Sequence, residues 1–176
     1  MNNPIETLYE EHNIIIDAIN IAYDLRKIID NSDLYEEQAN SLIMFFKEFA
    51  DKYHHQKEET VLFPQMIKAN ELLESGVVQE MYENHEDFRK LINEIEKSIK
   101  NKDFENAQEK LEQYIGALTD HIAVENEEVF EIAQTLFNEK DLEKIYYKFK
   151  DIDSEFGEKD KNLLQEQLNK IRINLK

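Results

Sequence analysis

The sequence predicts an all-α protein, an up-down-up-down four-helix bundle with additional C-terminal helices, on three observations. Only 3 Gly and 2 Pro occur in 176 residues, too few for the turns of a β or α/β domain. Charged residues make up 34% and hydrophobic residues 41%, the make-up of amphipathic helices. Apolar residues recur at helical spacing almost from end to end. The length suits one domain, so residues 1–176 are read as a single unit, with the bundle at about 4–137 and a helical extension at about 138–176.

Asn3-Pro4 reads as N-cap and first helical position. Ile5, Leu8, His12, Ile15, Ile16, Ile19, Ala22 and Tyr23 then mark one face of a first helix reaching about Ile29. Asp30-Asn31-Ser32-Asp33 is a break rich in capping residues. A second helix starts near Leu34 and carries Leu42, Phe46, Phe49, Ala50, Tyr53, Val61 and Leu62. Pro64 is expected to kink or end it, because its ring clashes with the carbonyl four residues back. After Ser75-Gly76 a third helix shows Met81, His85, Phe88, Leu91, Ile92 and Ile95. Beyond Asn101-Lys102-Asp103 a fourth carries Leu111, Tyr114, Leu118, His121, Val124 and Val129, to about Phe137. A shorter helix over Asp141–Phe149, Gly157 and a polar helix over Asn162–Leu175 complete the chain. Short loops between long helices make them antiparallel neighbours.

Composition excludes several function classes. Lys plus Arg number 21 against 39 Asp plus Glu, a net charge of −18, which argues against nucleic acid and anionic membranes, both of which select basic surfaces. Cysteine is absent, which removes thiol catalysis, disulfides, Cys-type zinc sites and iron–sulfur clusters. The N-terminal stretch lacks a positive start and an apolar core, so no signal peptide is expected. No apolar run approaches the ~20 residues of a membrane span. The expectation is a soluble, cytoplasmic protein, monomer or homodimer.

An internal repeat carries the chemistry. Tyr9-Glu10-Glu11-His12 matches Tyr82-Glu83-Asn84-His85. His54 is followed by Glu58 and then Leu62-Phe63; His121 is followed by Glu125 and then Val129-Phe130. Each half therefore reads as a helix with one His, then a helix with His-x-x-x-Glu. Residues i and i+4 share a helix face, so each His and carboxylate can reach one point between helices or bridge two metals. Two hairpins about a pseudo-two-fold axis bring His12, His54, His85 and His121 to one level. Four imidazoles and two carboxylates suit a redox-capable, borderline metal, iron above all, as a carboxylate-bridged pair. Zinc structural sites want four ligands, often thiolate, and calcium or magnesium want oxygen.

A lone His on an apolar stripe is ordinarily a hydrogen-bonded core residue. Four of them, one per bundle helix, are not explained that way, and Glu58 and Glu125 on the same stripes would cost several kcal/mol each if left unpaired. Other features have plainer readings. The Glu/Lys alternation of 138–161 reads as a solvated helix face. Tyr9, Tyr53, Tyr82 and Tyr114 read as core or boundary packing, and the Leu163/Leu164, Leu168, Ile171, Leu175 stripe as packing back on the bundle.

The order His, His-x-x-x-Glu, His, His-x-x-x-Glu, with His54-His55-Gln-Lys-Glu58-Glu59-x-x-Leu62-Phe63-Pro64 in the second helix, closely resembles the hemerythrin-like, HHE cation-binding family over roughly residues 4–137. The resemblance implies a non-haem di-iron centre held by His12, His54, Glu58, His85, His121 and Glu125. Glu58 and Glu125 would be the bridging carboxylates, and an oxo, hydroxo or water bridge would complete it. One departure stands out. Oxygen-carrying members have five His ligands, two of them four residues apart on the third helix, whereas Met81 and Arg89 occupy the positions flanking His85. His55 is the alternative fifth imidazole; it points ~100° from His54 round an α-helix, and in a related iron-sensing domain the residue after the matching His is also a ligand. Glu59 stands in reserve.

Three functions follow from such a centre. The first is binding or consumption of a small oxidant (dioxygen, peroxide or nitric oxide) as carrier, scavenger or sensor, with catalase-like or peroxidase-like turnover as its enzymatic form. The second is iron binding or sensing without turnover. The third is the iron–sulfur repair activity of members that carry a similar di-iron domain.

Overall fold

The first helix begins where Asn3 caps it. The Asn3 side chain accepts a hydrogen bond from the Ile5 N–H at 3.0 Å, and Pro4 takes the first helical position, where its missing N–H leaves no bond unmade. A computed structural model describes residues 3–175, and every regular element in them is helical. Four rods form a bundle. The first is α1 (Pro4–Asp24), closed by a 3₁₀ turn over Leu25–Ile28. The second starts as α2 (Ser32–Phe45), capped by Asn31, widens into π-helix over Phe46–His55 and Glu58–Leu62, and ends as α3 (Phe63–Ala69).

A 3₁₀ turn over Glu71–Ser75 leads to the third rod, α4 (Val77–Lys100). The fourth is α5 (Phe104–Val124), a π segment over Glu125–Val129 and α6 (Phe130–Leu136). Packing joins α4 to α5, α1 to α5 and α2, and α2 to α4. At one end the buried Tyr35 hydroxyl donates to Gln108 Oε1 at 3.0 Å, and Gln108 Nε2 donates to the Ala22 carbonyl at 3.3 Å. Three rods are thereby tied with their polar groups satisfied.

Several expectations are corrected. Of the two outcomes expected at Pro64, a kink or an end, the second rod does not show the end. Proline falls in the first turn of α3, directly after the wide turn, and the Glu59 carbonyl in the preceding turn accepts the Tyr82 hydroxyl at 3.2 Å. The rod therefore passes through a residue that an α-helix interior would reject. On α1, Ile16 and Tyr23 lie at the edge of the apolar stripe and are 38% and 49% exposed, while Ala18, Ile21 and Leu25 are buried.

The C-terminal helices are longer than their composition suggests: α7 spans Glu139–Phe156 and α8 spans Glu158–Asn174. Gly157, at φ 88, is the stop between them, a left-handed conformation that favours glycine. The Glu and Lys residues of 138–161 line an exposed face, as expected, and the other face of the helix is buried. Ile145, Phe149 and Ile152 of α7 are buried, and α7 packs on α1 and the second rod. Leu164, Leu168 and Ile171 of α8 are buried against α1 and α2, while Leu163 is exposed. Among the described residues no helix is long and apolar enough to cross a membrane.

Candidate metal centre

The six residues singled out by spacing and His55, the alternative fifth imidazole, meet in the middle of the bundle, none more than 2% exposed. His12 comes from α1, His85 from α4 and His121 from α5. His54 and His55 close the long π segment of the second rod, and Glu58 and Glu125 each open a π segment of their own. The wide turns matter for position. Bonding from i to i+5 puts more residues in a turn, so successive side chains diverge by less than the ~100° of an α-helix. His54 and His55 thus both face inward.

The seven form two groups whose ligating atoms lie within 4.8 Å of one another: His12, His54, Glu58 and Glu125 in the first, and His55, His85 and His121 in the second. The carboxylates span the two groups. Glu125 Oε2 is 3.2 Å from His12 Nε2 and 3.3 Å from His121 Nε2. Glu58 Oε1 is 3.5 Å from His54 Nε2, and its Oε2 is 3.7 Å from His85 Nε2. Within the second group His85 Nε2 and His121 Nε2 are 3.1 Å apart, and the His55 and His85 rings stack at 3.8 Å.

The inward atoms lack partners. His12 Nε2, His54 Nε2 and all four oxygens of Glu58 and Glu125 are buried without a hydrogen bond. Each such atom costs roughly 1–3 kcal/mol when left unpaired, and more when charged. Orphaned nitrogen and carboxylate oxygen converging on one point fit a cation and little else. Electrostatics agrees. Burial holds His54 down to about 4, and His55 and His85 to about 3, so these imidazoles are neutral and free to donate lone pairs. Burial and the neighbouring Glu125 raise Glu58 well above the usual carboxylate range. Burial would also raise Glu125, but His121 and His12 hold it below that range.

A ring of outer partners orients the imidazoles through Nδ1. His12 meets Asn126 Oδ1 at 2.7 Å, His54 meets Glu11 Oε2 at 2.9 Å, and His85 meets Glu59 Oε1 at 2.7 Å. Asn84 lies 3.4 Å from His121 Nδ1, and Asp51 lies 3.5 Å from His55 Nδ1. With Nδ1 of His12, His54 and His85 engaged outward by an oxygen, Nε2 of these three points in. The repeat is visible here too, since Glu11 and Asn84 each precede the lone His, and Glu59 and Asn126 each follow the buried Glu. Tyr9 and Tyr82 complete the symmetry by donating to the Asn126 and Glu59 carbonyls at 3.0 and 3.2 Å. Glu59, the reserve ligand, is therefore turned to the back of His85.

Spacing did not reveal the supports of this ring. Arg89 Nη2 lies 2.7 Å from both Asp51 Oδ1 and Glu59 Oε1, so one guanidinium pins the carboxylates behind His55 and His85. Lys57, 0% exposed, lies 2.5 Å from Glu11 and 2.7 Å from Asp153 of α7, and the Tyr53 hydroxyl donates to that Asp153 at 2.7 Å. The mismatch inside the repeat, Glu against Asn at both equivalent positions, was the available signal for Glu11 and Glu59.

No curated protein and no solved structure matches the chain. The hemerythrin HHE cation-binding domain matches residues 3–133, which include both groups, and the chain belongs to that family of metal-binding helical proteins.

Proposed function

We propose that the protein is a non-haem di-iron protein that binds or reacts with dioxygen, peroxide or nitric oxide as carrier, scavenger or sensor. The observation that carries this reading is the pair Glu58 and Glu125. Each is fully buried, without hydrogen bonds, and within 3.7 Å of a histidine from both groups. A carboxylate so placed suits two cations better than one. His12 and His54 with the two carboxylates would hold one ion; His55, His85 and His121 with the same carboxylates would hold the other. The donors are nitrogen and oxygen only, a set that suits iron among redox metals. Bound iron would supply one-electron chemistry toward a small oxidant. The protein's own part is to exclude water, fix imidazoles through Nδ1 and offer fewer donors in the two-imidazole group.

The four rods are read as an up-down-up-down bundle, with the chain as one unit, because their connections are short. Elemental analysis with an absorption spectrum of aerobic protein tests the proposal. Two irons per chain with near-ultraviolet charge-transfer bands support it; no iron after expression in iron-replete medium overturns it. Rapid peroxide decay, lost in His121→Ala, would mark the catalase-like form. A second reading, iron sensing without turnover, is favoured by one observation: the chain His54–Glu11–Lys57–Asp153 links the site to α7. Occupancy would then be reported by the C-terminal helices.

A further inference from the structure

The ligands account for only half of the Tyr-x-x-His repeat: Tyr9 stands three residues before His12, and Tyr82 three before His85. Both tyrosines reach the residue that follows a buried glutamate. The Tyr82 hydroxyl donates to the Glu59 carbonyl at 3.2 Å, while His85 Nδ1, one turn along α4, meets the Glu59 carboxylate at 2.7 Å. The Tyr9 hydroxyl donates to the Asn126 carbonyl at 3.0 Å, while His12 Nδ1 meets the Asn126 side chain at 2.7 Å. Residues three apart share a helix face. Each lone-His helix therefore holds one residue of another rod by its backbone and its side chain at once.

The wide turns leave those carbonyls short of a backbone donor. At Glu58–Leu62 the Phe63 N–H bonds the Glu58 carbonyl, five residues back, and not that of Glu59, four back. The amide five residues after Glu59 belongs to Pro64, and proline has no N–H. Glu59 is thus without a donor at the α or the π spacing, and a carbonyl away from water needs one. Tyr82 supplies it from α4. At Glu125–Val129 the Phe130 N–H likewise goes to the Glu125 carbonyl, but the residue five beyond Asn126 is Glu131, which keeps its N–H. The backbone therefore offers a substitute for Tyr9 and none for Tyr82.

We infer that Tyr82 is a positioning residue of the metal centre: its hydroxyl takes the place of the amide that Pro64 lacks, and so holds the wide turn that aims Glu58 inward and sets Glu59 behind His85. Glu58 and Glu59 are the first two residues of that turn, so its geometry fixes both the carboxylate between His54 and His85 and the partner that orients His85. Tyr9 does the same for Glu125 and Asn126, with the backbone in reserve. The hold on the turn stands on its own geometry. Its effect on a metal rests on the reading of Glu58 and His85 as ligands.

Tyr82→Phe removes the hydroxyl and keeps the ring against Phe63. Competition of the full chain with a chelator for Fe(II), without oxygen, should show binding about 10–100-fold weaker than in the parent, and Tyr9→Phe should lose less. Pro64→Ala restores an amide at the π spacing, so in that background Tyr82→Phe should change Fe(II) affinity by no more than about twofold, the scatter of independent substitutions. A residue that merely packs would not be rescued in this way. Unchanged affinity in Tyr82→Phe, or an undiminished loss in the Pro64→Ala background, overturns the inference. A parent that binds no Fe(II) sinks the metal reading instead. The hold on the turn is then read from urea midpoints of the metal-free chain, which Tyr82→Phe should lower in the parent and leave in place with Pro64→Ala; an equal midpoint in parent and Tyr82→Phe overturns it.

Discussion

The Lys57 ammonium lies 2.5 Å from a Glu11 carboxylate oxygen, with the two side chains 0% and 1% exposed. Glu11 in turn accepts from His54 Nδ1, and Lys57 sits over the Tyr53 ring at 3.9 Å. A buried ion pair thus stands directly behind a histidine of the first His/Glu group, and Asp153 brings α7 to its far side. Burial alone would raise Glu11, but the His54 hydrogen bond and Lys57 hold it below the usual range. The pair keeps a carboxylate charged, and so able to orient an imidazole, in a place buried from solvent.

Removing one partner should therefore cost more than removing both. Lys57→Met leaves the Glu11 charge buried and unpaired, with an expected loss of about 3–5 kcal/mol from the urea-unfolding free energy. The double variant with Glu11→Gln should recover a substantial part of it. A single variant as stable as the parent would show that Lys57 contributes nothing to holding Glu11.

Spacing made the buried cluster of His and Glu legible because chemistry and helix geometry coincide there. His54 with Glu58, and His121 with Glu125, lie one turn apart, and the lone histidines share a Tyr-x-x-His repeat. The π segments were not legible, since a 3.6-residue period assumes that no residue is inserted. Their trace was present: Val61, Leu62 and Phe63 are consecutive and all buried, more than one α-helical face can hide. The inward turn of His55 and the passage through Pro64 both follow from those wide turns. Lys57 and Asp153 were hidden for another reason. A lysine reads as surface by type, and its partner lies on α7, which sequence could not dock.

The metal-free protein should lose stability as pH falls from about 6.5. The unfolded chain takes up protons there at three histidines that the fold keeps neutral, His54 to about 4, and His55 and His85 to about 3. Between these limits the unfolded state binds more protons, so acid favours unfolding. Glu58, raised in the fold, works in the opposite sense for one proton. The net is up to two protons, or up to about 3 kcal/mol per pH unit. Urea midpoints at pH 7.5, 6 and 5 check this; a midpoint that held steady or rose on acidification would contradict it.

Metal should stabilise the fold strongly, because it supplies partners for the unpaired atoms of His12, His54, Glu58 and Glu125. Occupancy at about a thousand times Kd contributes about 4 kcal/mol, or roughly 8–16 °C in Tm for a chain of this size. Equal melting of chelator-treated and iron-loaded protein would count against any metal in this cluster. His55→Ala strips one imidazole from the three-histidine group alone, so the iron content should fall from two towards one. Full retention of both would remove His55 from the ligand set.

The mirrored partners allow the outer ring to be tested against its own repeat. Glu59 stands behind His85 and Asn126 behind His12, each at 2.7 Å, but only Glu59 carries charge and a guanidinium partner. A carboxylate makes its imidazole a stronger donor than an amide does. Glu59→Ala should weaken metal binding by about 10–100-fold, chiefly at the position served by His85, and Asn126→Ala should weaken the other position by less. Glu59→Gln, which keeps the hydrogen bond and loses the charge, should fall between Glu59→Ala and the parent. Competition titrations with a chelator of known affinity resolve the two binding steps. Equal losses for Glu59→Ala and Asn126→Ala would mean that hydrogen bonding, not charge, is what the outer ring contributes.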